Sequence, residues 1–104
     1  MKQLTIIIKP FVTAKVLHAI SEVDVVACIV QEAKGYSRQK GYLDRYVGSE
    51  YSDVYLPKVE IIVWVQDEKA DELAEKVVQA ARTGRIGDGK IISVPSALPN
   101  PLEF

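Results

Sequence analysis

Residues Gln3 to Lys9 are apolar and β-branched, with Ile6, Ile7 and Ile8 consecutive, the pattern of a central strand covered on at least one face. Pro10 ends it, because proline has no amide hydrogen to give to a sheet. From Thr13, a residue suited to an N-cap, Val16, Leu17, Ile20 and Val23 recur at helical spacing and leave Lys15, His18 and Glu22 for solvent, which predicts an amphipathic helix. Val25 to Ala33 and Val59 to Val65 read as two further strands. Asp67 is placed to cap a second helix, with Glu68, Asp71 and Glu72 near its positive end. Leu73, Ala74, Val77, Ala80 and Ala81 form its apolar stripe, Glu72 and Lys76 stand at the i, i+4 spacing of an ion pair, and the pattern stops at Arg82. Lys90 to Val94 reads as a fourth strand.

The order βαββαβ predicts an α+β domain of the ferredoxin-like plan, two helices on one face of a four-stranded antiparallel sheet. Two features strain that plan. Ile61-Ile62-Val63-Trp64-Val65 does not alternate apolar with polar, so a sheet covered on one face only would show water an apolar surface, and a homo-oligomer would cover it. The second and third strands, which a short hairpin would normally join, are separated by an insert of about twenty residues, 36–55. All five tyrosines (Tyr36, Tyr42, Tyr46, Tyr51, Tyr55) lie in it with Arg38, Lys40 and Arg45, a composition suited to partner binding; the plainer alternative is a long twisted hairpin whose tyrosines pack on one another.

Between the second helix and the last strand, Thr83 to Lys90 holds three glycines, two cations and a hydroxyl. Glycine lets a ligand approach the main chain, so this loop is a candidate phosphate site. Gly84 and Gly89-Lys90 have P-loop spacing, but Ile91 stands where a Mg²⁺-binding Ser or Thr belongs, and the loop runs from helix to strand rather than strand to helix. It is therefore no Walker A motif; its other reading is an αβ turn with a helix C-cap at Gly84.

Composition narrows the function classes. At 104 residues and 48% hydrophobic the chain fits a single domain, 1–104, and a net charge of −1 gives no support to nucleic-acid binding. The lone cysteine, Cys28, sits in an apolar run and is expected to be a buried structural thiol. The lone histidine, His18, has no partners for a metal site or a triad and is expected on the surface. No apolar stretch reaches the ~18 residues of a membrane span, and no signal peptide opens the chain, so a cytoplasmic protein without membrane insertion is expected. No paired carboxylates, activated nucleophile or metal-ligand cluster appears by spacing, which argues against an enzyme: no catalytic and no metal residues are assigned.

Several motifs in register resemble the PII signal-transduction proteins: Ile7-Ile8-Lys9-Pro10-Phe11, Lys34-Gly35-Tyr36-Ser37-Arg38-Gln39-Lys40-Gly41, Gly48-Ser49-Glu50-Tyr51, Leu56-Pro57-Lys58-Val59 and Ala80 through Ile91. The resemblance implies a homotrimer with ADP, AMP or ATP, with or without Mg²⁺, in clefts between subunits. It assigns nucleotide contacts to Ile7, Gly35, Tyr36, Ser37, Arg38, Gln39, Trp64, Thr83, Gly87, Asp88, Gly89 and Lys90. It assigns 2-oxoglutarate, or another small anion, to Gln39, Lys40 and Lys58, and modification to Ser49 or Tyr51. The insert corresponds to the family's T-loop, which docks on a partner protein such as a membrane transporter or a metabolic enzyme. Alternative expectations are a sensor of bicarbonate in carbon assimilation, a sensor of a metal, or a nitrogen regulator responding to ATP and 2-oxoglutarate.

The chain departs from the family pattern at Ser37, Ile29 and Val47, and after Val94. Family members end in an Arg-Ile-Arg-Thr-Gly stretch whose arginines hold phosphates; residues 95–104 here, an irregular tail, carry none. Fewer cations penalise the most highly charged ligand most, so a preference shifted from ATP toward ADP or AMP and a weak 2-oxoglutarate response are expected.

Overall fold

The computed structural model describes residues 1–35, 56–85 and 88–97. β1 (Lys2–Ile8) leads through a 3₁₀ turn, Pro10–Val12, into α1 (Thr13–Ser21); β2 (Ala27–Gly35), β3 (Leu56–Val65), α2 (Asp67–Ala81) and β4 (Gly89–Pro95) follow. The strands form one antiparallel sheet in the order β2-β3-β1-β4, with Ile6 of β1 opposite Ile61 of β3 and Ile91 of β4. Four antiparallel strands and two helices fit the ferredoxin-like plan.

The apolar pattern places the core on one side of this sheet. Leu4, Ile6 and Ile8 of β1 and Val59, Ile61, Val63 and Val65 of β3 are buried in one cluster with Val16 and Ile20 of α1 and Ala70, Leu73 and Val77 of α2. The intervening residues face away from both helices. Ile7, Ile62 and Trp64 are half-buried there, and Ile29, Ile92 and Val94 are 49%, 49% and 43% exposed. The open apolar face expected from the non-alternating run is thus present in the single chain: Ile61, Val63 and Val65 point to the helices, Ile62 and Trp64 away from them.

Local expectations fare unevenly. The N-cap of α1 is Val12, not Thr13, whose hydroxyl donates 2.7 Å back to the Pro10 carbonyl; the 3₁₀ turn that Pro10 nucleates has already bent the chain before Thr13. Gln66 rather than Asp67 occupies the N-cap of α2, and the Asp67 carboxylate lies 2.9 Å from the Met1 ammonium. Lys76 reaches across to Glu22 of the α1 C-cap at 3.2 Å instead of pairing with Glu72, because the two helices pack side by side. β2 begins at Ala27, two residues later than the pattern suggested, and β3 begins three residues earlier, at Leu56. Cys28 is exposed rather than buried: it stands opposite buried Val63, but on the outer strand, where the helices do not cover it. Partial desolvation there still raises its thiol pKa. His18 is on the surface, 79% exposed, as expected.

Candidate functional site

At one end of the open face the sheet turns from apolar to charged. Lys58 of β3 and Lys90 of β4 both face away from the helices, opposite Ala33 and Ile7 respectively, and Lys9 follows the last residue of β1. The backbone of Lys9 is extended (φ −70°, ψ 143°) ahead of Pro10, and its carbonyl accepts from the Val12 amide at 3.2 Å, so the residue is fixed on both sides. Its ammonium nitrogen lies 3.3 Å from Asp88 Oδ1, in a pair whose side chains are only 18% and 21% exposed.

Asp88 is gripped from the turn after α2 as well. Its Oδ2 accepts from the backbone amides of Thr83 at 2.8 Å and Gly84 at 2.9 Å, and its Oδ1 from the Thr83 hydroxyl, whose oxygen in turn accepts from the Arg85 amide at 3.4 Å. These bonds, the Thr83 hydroxyl first, hold the Asp88 carboxyl well below the usual carboxylate range. α2 ends at Ala81 with Arg82 in extended conformation at its C-cap, so Gly84 is not the helix cap; its φ of +83° lies in the turn that offers amides to Asp88. The converging amides expected of this loop do exist at Thr83 and Gly84, and the anion on which they converge belongs to the chain itself. Gly89 also answers to a constraint within the sheet. At φ +147° its Cβ would lie 2.3 Å from the Ile7 carbonyl oxygen of the adjoining strand.

Among the described residues, Lys9, Lys58 and Lys90 gather around Asp88, with Glu60 on the same face of the sheet opposite Ile7. Lys58 registers the crowding: burial first, then the charges of Lys9 and Lys90, push its pKa down, against the pull of Asp88. An arrangement in which an ammonium is held partly desolvated among like charges favours an incoming anion, which removes the repulsion and supplies charge-assisted hydrogen bonds. A cleft of about 440 Å³ opens nearby between the end of α2 and the β1–β4 pair. It shares Asp88 and Lys90 with the cluster, but its floor of Ile6, Ile8, Val77 and Ala81 is apolar and lies on the helix side. For anion chemistry the lysines decide.

The structure brings together Thr83, Asp88, Gly89, Lys90 and Lys58, with Ile7 beside them opposite Lys90. Gly35 ends β2 opposite Leu56. Trp64 shares the open face but lies about 20 Å farther along β3 than Lys58, so within one chain it does not reach the cluster. Tyr36, Ser37, Arg38, Gln39, Lys40, Ser49, Tyr51 and Gly87 lie outside the described residues. Lys9 is the residue that reading for sites missed. Its signal was a single cation at the end of an otherwise apolar strand, directly before a proline. Among the described residues no group of three or more His, Cys, Asp and Glu is arranged to hold a metal ion, and no helix is long and apolar enough to cross a membrane.

The model of the family described as "Nitrogen regulatory protein P-II" matches residues 1–97. The chain belongs to the P-II family. Among its relatives, nitrogen regulatory protein GlnK of Escherichia coli (strain K12) is 48% identical over 91 residues, 88% of this chain and 81% of that protein. Nitrogen regulatory protein P-II of Azospirillum brasilense is 47% identical over 95 residues, 91% of this chain and 85% of its own length. Nitrogen regulatory protein P-II of Rhizobium meliloti (strain 1021) is 48% identical over 91 residues, with coverages of 88% and 81%. As a P-II protein the chain is a regulator in signal transduction, not an enzyme.

Proposed function

We propose that this P-II protein acts in the cytoplasm as a homotrimer that binds an adenine nucleotide between subunits and regulates a partner protein through the insert 36–55. The observation that carries the reading is the convergence of Lys9, Lys58 and Lys90 on the Asp88 turn at one end of the open sheet face. Those cations suit a phosphate chain. The trimer is supported by the apolar remainder of that face: Ile29, Ile92 and Val94 are too exposed for a protein that stays monomeric, and an assembly burying them sets the charged ends of neighbouring sheets beside one another. The nucleotide, ADP, AMP or ATP with or without Mg²⁺, then lies at the edge of the buried face, with Gly35, Thr83, Asp88, Gly89 and Lys90 around its phosphates. The insert, with Ser49 and Tyr51 as candidates for modification, is the segment that meets a transporter or an enzyme.

Isothermal titration of the assembled protein with ADP, ATP and AMP tests this, with 2-oxoglutarate and bicarbonate as separate arms. Saturable nucleotide binding that Lys90→Ala reduces at least tenfold is the expected result. Binding of bicarbonate alone, or nucleotide binding indifferent to Lys90→Ala, overturns it. ATP binding clearly tighter than ADP and AMP, strengthened further by 2-oxoglutarate, identifies instead a nitrogen regulator responding to both.

A further inference from the structure

We propose that Lys9 is a positioning residue of the anion site, pairing with Asp88 so that the turn before β4 stays fixed and its carboxylate stays neutralised. This rests on the reading of the lysine cluster as a phosphate site. Lys9 touches no part of the turn by sequence; it arrives from the opposite end of the chain, at the exit of β1, and meets Asp88 at 3.3 Å. Both its neighbours hold it there, Ile8 buried in the core and Pro10 opening a 3₁₀ turn whose Val12 amide bonds back to the Lys9 carbonyl.

The carboxylate it meets is the hub of the turn. The amides of Thr83 and Gly84 and the hydroxyl of Thr83 all donate to Asp88, and Lys9 is the one partner among these that ties the hub to the sheet. Lys58 feels the charges of Lys9, Asp88 and Lys90. With Lys9 in place its cation is matched to Asp88, and a phosphate approaching Lys58 and Lys90 meets a neutralised carboxylate beside them. Without it, the carboxylate acts unopposed on Lys58 and Lys90 and repels the incoming phosphate. Lys9 therefore works through Asp88 rather than by touching the ligand.

A double-mutant cycle separates this from the alternatives. By isothermal titration with ADP, Lys9→Met is expected to lose about tenfold or more in affinity, as an unneutralised carboxylate close to the phosphate implies. Lys9→Arg, which keeps the charge, is expected to retain most of it. In the Asp88→Asn background the Lys9→Met penalty is expected to shrink to about twofold or less, since no carboxylate is left to neutralise. A full penalty that persists beside Asp88→Asn overturns the proposal, because Lys9 would then act on the ligand or the fold directly.

A second measurement needs no ligand. In the free protein, NMR titration of the Lys58 side chain is expected to show its pKa rise in Lys9→Met, where a like charge is gone and Asp88 pulls alone. An unchanged or lower Lys58 pKa overturns the proposal. Were the unaltered protein to bind no nucleotide, the nucleotide reading would fall, while this titration would still decide the role of Lys9.

Discussion

The two faces of the sheet are made of nearly the same residue types and do different work. On β1 and β3, Leu4, Ile6, Ile8, Ile61 and Val63 meet the helices and are at most 2% exposed. One residue away, Ile7, Ile62 and Trp64 look away from both helices, beside Ile29, Ile92 and Val94. The contrast teaches that apolar character alone does not assign a residue to the core of the fold. The covered face holds the chain together; the open face leaves apolar side chains exposed, with the charged cluster at its end.

Mutation sharpens this contrast. The largest effect is expected on the covered side. Leu73, fully buried between sheet and helices, should lose about 2–5 kcal/mol of unfolding free energy on change to alanine, measured by urea denaturation. The same truncation at Ile92, nearly half exposed, should cost the fold of one chain less than about 1 kcal/mol and show itself in light scattering as weaker assembly. Equal losses of fold stability at the two positions would abolish the distinction between the faces.

Where β4 meets β1 the two faces share a backbone constraint. Gly89→Ala brings a Cβ against the Ile7 carbonyl at a positive φ, and a loss of roughly 1–3 kcal/mol is expected. Wild-type stability in that variant would mean that the edge strand shifts freely.

Asp88 gives the charged end a pH signature. Its folded pKa is depressed, so its hydrogen bonds and its pair with Lys9 stabilise the fold above the ordinary carboxylate range and are lost as the pH falls below it. The stability gap between the wild type and Asp88→Asn should therefore be full at neutral pH and close progressively below roughly pH 4. A gap that stays constant on acidification would show that the carboxylate's charge plays no part. The smallest effect is reserved for the helix surface: Glu22→Gln breaks an exposed pair with Lys76, and a change of about 0.5 kcal/mol or less is expected in thermal unfolding.

Much of the fold was legible because periodicity reports burial directly. The two helices and four strands followed from runs such as Val16-Leu17-Ile20 and Ile61 to Val65, and the open face from the same failure of alternation. The local misreadings share one cause. Thr13 and Asp67 have the side chains of caps, but the 3₁₀ turn at Pro10 and the extended Gln66 settled where each helix began. Cys28 has an apolar neighbourhood in sequence, yet its strand lies at the sheet's edge. Strand order is a property of pairing between distant segments, which no local window contains.

The site divides in the same way. The loop from Thr83 to Lys90 as an anion candidate, with its own cations Arg85 and Lys90, and, through several motifs in register, the family were legible in the sequence. Tertiary structure alone decided that Lys9, 79 residues from Asp88, meets it in an ion pair; that Asp88 fills the amides the loop offers; and that Gly89 answers to the Ile7 carbonyl. The physical reason is range: propensity and hydrophobic period act over a few residues, whereas charge and steric contact act through space once β1 has paired with β4.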